Sequence, residues 1–274
     1  MGQPFFTRRA MMAPYLRPIG ERGDMRWIHS VLFWSFFAAS SAVLFCLALV
    51  IFVVTWPFDR DGRVLHLFSC GWAQLYFWVS PGWSLRIEGR ERLPRHGPAV
   101  LVANHQSLGD ILALFGLYRP FKWVCKASNF RLPFLGWNMH LNRYVSLVRG
   151  DKESIAKMMA ACERWLERGV PVLIFPEGTR SPDNEMRPFK DGAFRLAHAK
   201  GCPLIPMVLA GTGDTLPKHG LVLKSRLHCR VRVLPPVDPR AFPDVDTLRE
   251  HVRDLMTTEK ARLEAERARE LQTV

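Results

Sequence analysis

The sequence predicts an α/β fold, a mixed sheet flanked by helices in layers, preceded by an N-terminal helical hairpin lodged in a membrane. Three observations carry this. After residue 84, short apolar runs of strand type alternate with helical periodicity, the pattern that stacks helices on a sheet. From Trp27 to Trp56 no Asp, Glu, Lys or Arg occurs, and about 20 such residues already span a hydrocarbon core. The 274 residues are also 48% hydrophobic, which excludes a chain kept unfolded by its formal charge of +13.

Residues 1–26 carry Arg8, Arg9, Arg17, Arg22 and Arg26 and read as a basic tail beside a membrane. The apolar run that follows exceeds the roughly 7–15 residues of a signal-peptide core. It ends in Val54-Thr55-Trp56-Pro57 instead of small residues, so it reads as a retained element. After the polar break Asp59-Arg60-Asp61-Gly62-Arg63, a second segment runs from Val64 to Leu85 with six Trp, Tyr and Phe residues. Trp and Tyr favour the headgroup level, which suits an interfacial piece. Residues 27–85 thus form the expected hairpin, 86–245 the α/β domain and 246–274 a charged C-terminal helix. Arginines precede Trp27, and Arg86, Arg90, Arg92 and Arg95 follow the second segment, while the break between is charge-balanced. By the positive-inside rule both ends lie in the cytoplasm. The hairpin therefore crosses twice or dips into one leaflet; the alternative is a single anchor followed by a surface amphipathic helix.

Within the α/β region the expected strands are Leu85–Glu88, Ala99–Ala103, Lys122–Cys125, Tyr144–Val148, Val172–Phe175, Leu204–Leu209 and Cys229–Leu234. Helical patterns cover Leu108–Leu117 and Lys152–Glu167, the latter with Ile155, Met158, Met159, Cys162, Trp165 and Leu166 on one face. A last helix runs from Val245 to about Arg269, striped by Leu248, Val252, Leu255 and Leu263. The six cysteines form no C-x-x-C pair, so neither a disulfide framework nor a zinc site is expected, and reduced thiols facing a cytosol fit. The positive charge suits anionic lipids or an acidic donor. Nucleic acid is disfavoured, because the aromatics gather in the apolar segments instead of interleaving with basic residues.

Two constellations carry chemistry. Asn104-His105-Gln106-Ser107-Leu108-Gly109-Asp110 follows directly on an apolar strand. Positions five apart on a helix are rotated by roughly 140°, so His105 and Asp110 meet only if His105 sits in the turn and Asp110 in the first helical turn. A carboxylate on one imidazole nitrogen would leave the other as a general base. The same Ser107-x-x-Asp110 spacing is also a helix N-terminal capping box. The second constellation, Phe175-Pro176-Glu177-Gly178-Thr179-Arg180, ends a strand in a forced turn. Backbone amides beside an Arg make a phosphate cradle; a plain turn with a Glu177–Arg180 surface ion pair is the other reading.

Together, N-H-x-x-x-x-D and the later F-P-E-G-T-R resemble the glycerolipid acyltransferase family, specifically the 1-acyl-glycerol-3-phosphate (lysophosphatidate) acyltransferases. Lys126, Pro133-Phe134-Leu135-Gly136 and Arg149-Gly150-Asp151 resemble that family's second block, and Cys202-Pro203-Leu204-Ile205-Pro206-Met207 its fourth. Phe189-Lys190-Asp191-Gly192-Ala193-Phe194 is similar to the link between the last two blocks, and the likeness spans roughly residues 57–235. Two positions depart from the pattern: Arg143 stands where many members have Gly, and Val148 where many have Asp.

The resemblance implies transfer of a fatty acyl group to the free hydroxyl of the lysophospholipid, with His105 as base oriented by Asp110. It implies substrate binding by Lys126, Arg149, Glu177, Gly178, Thr179 and Arg180, the three cations facing the acceptor phosphate and Glu177 holding Arg180 or the glycerol. Oxyanion donors are expected among backbone amides near Asn104 or Glu177-Gly178. No cofactor or metal is expected; acyl-CoA or acyl carrier protein is the co-substrate. Partners are then a lysophospholipid, that donor and a membrane, with the catalytic domain on the cytoplasmic side of a bacterial inner membrane. Alternatives are another lysophospholipid as acceptor, or a thioesterase or lysophospholipase using the same His/Asp pair on water.

Overall fold

A computed structural model describes residues 22–181, 185–214, 222–224 and 226–272. Most of the basic tail lies outside these residues. The charge-poor run is one helix, α1 (Arg22–Thr55), and Trp27–Thr55 is long and apolar enough to cross a membrane. At 1.5 Å per residue α1 is about 51 Å long. Val31, Leu32, Val43, Leu47, Val50 and Val54 are exposed on its outer side, whereas Phe33, Ser41 and Ala48 are buried. The polar break makes a turn in which the Asp59 carboxylate accepts from the backbone N–H of Arg63 (2.9 Å) and Val64 (2.7 Å). That caps the next helix, α2 (Arg63–Trp78).

The aromatics of α2 mostly face protein. Trp72, Tyr76 and Phe77 are buried, with only Trp78 turned out, because Phe33 and Phe37 of α1 and Trp83 offer them ring partners. The first strand, β1 (Trp83–Glu88), begins inside the segment expected as hairpin. Its pairing starts at Trp83 with Leu227, so residues 83–85 belong to the sheet and the α/β domain begins there, not at residue 86.

The remaining strands are β2 (Val100–Ala103), β3 (Lys122–Lys126), β4 (Val145–Leu147), β5 (Val172–Ile174), β6 (Leu204–Ala210) and β7 (Leu227–Val233). They form one sheet in the order β1-β7-β6-β2-β5-β3-β4. Strands β2 to β6 run parallel, and β7 with β1 runs against them. All seven expected strands exist, displaced by at most two residues at either end. Helices α3 (Gly109–Phe115), α4 (Leu135–Leu141), α5 (Lys152–Glu167), α6 (Gly192–Lys200) and α7 (Val245–Gln272) complete the domain. Periodicity did not point to α4 or α6, since 7 and 9 residues are barely two turns.

Apolar side chains of α5, α6 and α7 pack on one face of the sheet. The other face is covered by α3 and, outside it, α2, α1 and α4. On α5, Met158, Cys162 and Leu166 are buried as the stripe requires, while Ile155 is exposed. Along α7, the Arg232 guanidinium bonds both Glu88 (2.8 Å) and Glu266 (2.6 Å), tying the helix to β1 and β7. Arg143 has φ +54°, so this position, where the resemblance led to an expected Gly, is left-handed here, at a cost of about 1–2 kcal/mol for a side-chain-bearing residue. Its guanidinium lies 4.8 Å over the Trp56 ring and donates to the Arg60 carbonyl, which ties this turn to the end of α1.

Candidate active site

Because β2, β3, β4 and β5 are parallel neighbours, their carboxyl ends share one edge of the sheet. That edge collects His105 after β2, Lys126 at the end of β3, Arg149 after β4 and Glu177–Arg180 after β5. Crevices outside strand carboxyl ends are the usual ligand sites of such sheets.

The turn after β2 is pinned from below by Asn104, whose amide donates to the Leu209 carbonyl (3.1 Å) and accepts from the Leu209 N–H (2.7 Å). It is pinned from the side by Ser107 Oγ, which donates to the Thr212 carbonyl (2.6 Å) and accepts from Gly109 N–H (2.9 Å). Asp110, fully buried in the first turn of α3, then turns back. Its Oδ2 accepts from His105 Nδ1 (2.7 Å), Gln106 N–H (2.6 Å) and Ser107 N–H (2.9 Å). The two sequence readings of Asp110 thus coincide: the carboxylate caps the turn and orients the histidine with the same oxygen. A proton on Nδ1 would satisfy this bond and leave the Nε2 lone pair free.

Phe175 lies flat on the imidazole, ring centroids 4.1 Å apart at 14°. The pairing of Val102 with Ile174 brings the chain leaving β2 beside the chain leaving β5, and Phe175 follows directly on Ile174. The sequence gives Phe175 no role; an aromatic one residue beyond a strand that abuts the histidine strand was the only available hint.

Glu177 is 4% exposed. Its Oε1 accepts from the His105 backbone N–H (2.8 Å) and its Oε2 from Arg187 N–H (3.1 Å). This replaces the expected bond to Arg180: a buried carboxylate takes the nearest unpaired amides, and burial pushes its pKa up against the lowering effect of those bonds. Gly178 has φ +68°, and a Cβ there would lie 2.9 Å from Lys190 Cε. Only glycine lets Lys190, a residue outside the expected site, lie across the turn. The Gly178 N–H is also engaged, donating to the Phe175 carbonyl (3.0 Å), as is that of His105, so neither serves as an oxyanion donor here.

Arg149 is exposed and Arg180 half-buried. Partial burial, and after it the charge of Arg180, lowers the Arg149 pKa. Thr179 is half-buried beside Arg180, and Lys126 is exposed at the end of β3. Lys126 is in register with Leu147, two residues before Arg149, which puts both on the same corner of the edge. Among the described residues no cluster of His, Cys, Asp and Glu has the makings of a metal site.

The Acyltransferase family matches residues 84–210. A 1-acyl-sn-glycerol-3-phosphate acyltransferase of Chlamydomonas reinhardtii is 41% identical over 69% of this chain and 57% of its own length. The chloroplastic one of Arabidopsis thaliana is 34% identical over 74% and 58%; the chain therefore spans a little over half of these relatives. A Pseudomonas aeruginosa protein of the same name is 31% identical over 70% of this chain and 74% of its own. The crystal structure of the 1-acyl-sn-glycerophosphate acyltransferase PlsC from Thermotoga maritima superposes with a TM-score of 0.74, 25% identity, and coverage of 88% and 97%. A bacterial relative matched across most of both chains, and a solved relative matched across nearly all of its own, agree with the sheet edge that unites the two motifs: the chain belongs to the 1-acyl-sn-glycerol-3-phosphate acyltransferase family.

Proposed function

We propose that this protein moves a fatty acyl group from acyl-CoA or acyl carrier protein to the free hydroxyl of 1-acyl-glycerol-3-phosphate, giving phosphatidate. The observation that carries the reading is the Nδ1–Asp110 bond of 2.7 Å, which leaves Nε2 as a base within an otherwise buried turn. Nε2 takes the hydroxyl proton as the alcohol oxygen attacks the thioester carbon. The new C–O bond forms, the tetrahedral oxyanion collapses, the C–S bond breaks and the thiolate leaves, taking up the proton from the imidazolium. Asp110 stabilises that imidazolium, and Phe175 holds its plane. Arg149 and Arg180, with Lys126 and Lys190 at the rim, bind the acceptor phosphate; Arg suits a forked contact. The backbone amides of Thr179 and Arg180 have no partner among the described residues and serve as candidate oxyanion donors.

The acceptor is a membrane lipid, and α1 offers an apolar surface to reach it. We place the protein on the cytoplasmic side of a bacterial inner membrane, where soluble donors are available. The test is an assay of the purified protein with lysophosphatidate and each donor, products identified by mass. Phosphatidate that requires both substrates is expected. Free fatty acid formed without acceptor would make it a hydrolase, and preferential acylation of another lysophospholipid would change the acceptor.

A further inference from the structure

At the end of the sheet opposite His105, a cleft of about 400 Å³ opens between the edge strand β4 and α5. Arg143, Lys157, Arg164 and Arg168 line it, with Trp165 and Ser146. Asp61 pairs with Arg168 (2.6 Å) and Glu153 with Lys157 (2.7 Å). Arg143 and Arg164 have no carboxylate partner among the described residues, so the cleft keeps an excess of positive charge that the reaction site does not use. Trp56, under the Arg143 guanidinium, is 54% exposed and Phe58 is 72% exposed. Trp56 follows directly on Thr55, where the apolar run of α1 ends, and Phe58 stands two residues further. Aromatic and basic side chains therefore meet where the C-terminal end of the apolar run passes into charge, the composition that suits the headgroup layer.

We propose that this cleft is a second lipid site, which takes the phosphate of an anionic phospholipid in the bilayer surface and is separate from the acceptor site. A soluble anion would be drawn by the arginines but would gain nothing from the exposed rings; a headgroup on its chains engages both. The proposal rests on the membrane reading of α1 and not on the identity of the acyl acceptor.

The test uses the full chain and vesicles of phosphatidylcholine, alone or mixed with phosphatidylglycerol, with partition read by co-sedimentation. Wild type is expected to favour the anionic vesicles by about tenfold or more. Lys157→Glu with Arg164→Glu should remove that preference while leaving binding to phosphatidylcholine, which α1 supplies. The charge-matched control Arg195→Glu with Arg262→Glu, on α6 and α7, should keep it. Should the double reversal fail to fold, Arg164→Gln alone is expected to lose part of the preference. Equal loss in the control, full preference in the cleft variants, or wild type that binds neither vesicle would each overturn the proposal. Acyl transfer in neutral detergent should be the same in wild type and cleft variants; absence of transfer from both counts against the proposed reaction and leaves the vesicle result standing.

Discussion

His105 and Asp110 are joined by a single carboxylate oxygen that gathers three N–H groups, so their roles can be separated by substitution. His105→Ala should lower transfer about 10²–10⁴-fold, the usual worth of a general base, with the fold retained, because the Glu177 bond is to the backbone of residue 105. Asp110→Asn should cost less, since it can still accept from the turn. Near-normal turnover by His105→Ala would sink the mechanism. Arg149→Ala and Arg180→Ala should each raise the acceptor KM by about 10-fold or more, from about 1.5–3 kcal/mol for a lost charge-assisted bond; an acceptor titration at fixed donor reads this. Lys122 provides a test of electrostatics. Its Nζ is buried between the carbonyls of Asp61 and Asn142, and burial, with Arg143 nearby, pushes its pKa down to about 7. An unfolded lysine titrates near 10.5, so above about pH 7 the unfolded chain holds a proton the folded one lacks, and stability rises with pH. Between about pH 7 and 8.5, below the ionisation of unfolded thiols, this adds at most about 2 kcal/mol. Unfolding in micelles should show that rise in wild type and a smaller one in Lys122→Met; equal slopes would refute it. At this scale the sequence named His105, Asp110 and the cations, but the partners of Glu177 and the ring under His105 arise from strands far apart in the chain.

Helix α2 looks like a membrane segment by composition and behaves as part of the domain. Ser69 Oγ accepts from the amides of Asn138 (3.0 Å) and Asn142 (3.1 Å) and donates to the Leu65 carbonyl, while His66 Nδ1 meets the Tyr144 hydroxyl (2.8 Å). Such a polar seam is expensive to leave unpaired. Ser69→Ala strips Asn138 Nδ2 of its acceptor and should lower stability by about 1–3 kcal/mol, read as a lower Tm in detergent. Ser80→Ala, whose Oγ is buried with no partner among the described residues, should cost nothing. Strand and long-helix positions were legible because periods of 2 and 3.6 are local properties. The aromatic pattern of α2 did not reveal its direction, because a ring buried against Phe33 and one dipped in lipid leave the same composition.

Along α1, Ser30 Oγ accepts from the Leu223 N–H (2.9 Å), Phe33 packs on Trp83, Ser41 meets Tyr76 and Phe45 packs on Trp137. A helix about 51 Å long that touches the domain at several points between Ser30 and Phe45 would draw β1 and α4 into hydrocarbon if it stood upright. We therefore expect it to lie along one leaflet with both chain ends in the cytoplasm. Tags at the N-terminus and after Val274 should be cleaved only when the cytoplasmic face is exposed; opposite-side labelling would refute this. The sequence by itself determined the element types, the apolar helix and the two motifs, since each is written in residues within a turn or a strand of one another. Only the tertiary structure decided that Glu177 clamps the His105 turn from 72 residues away, that Phe175 stacks on the imidazole, and that α2 belongs to the domain. It also closed a cationic cleft between β4 and α5, with Trp56 beside it under Arg143. Those contacts depend on strand order, and strand order is fixed by the packing of the whole sheet, which no local pattern records.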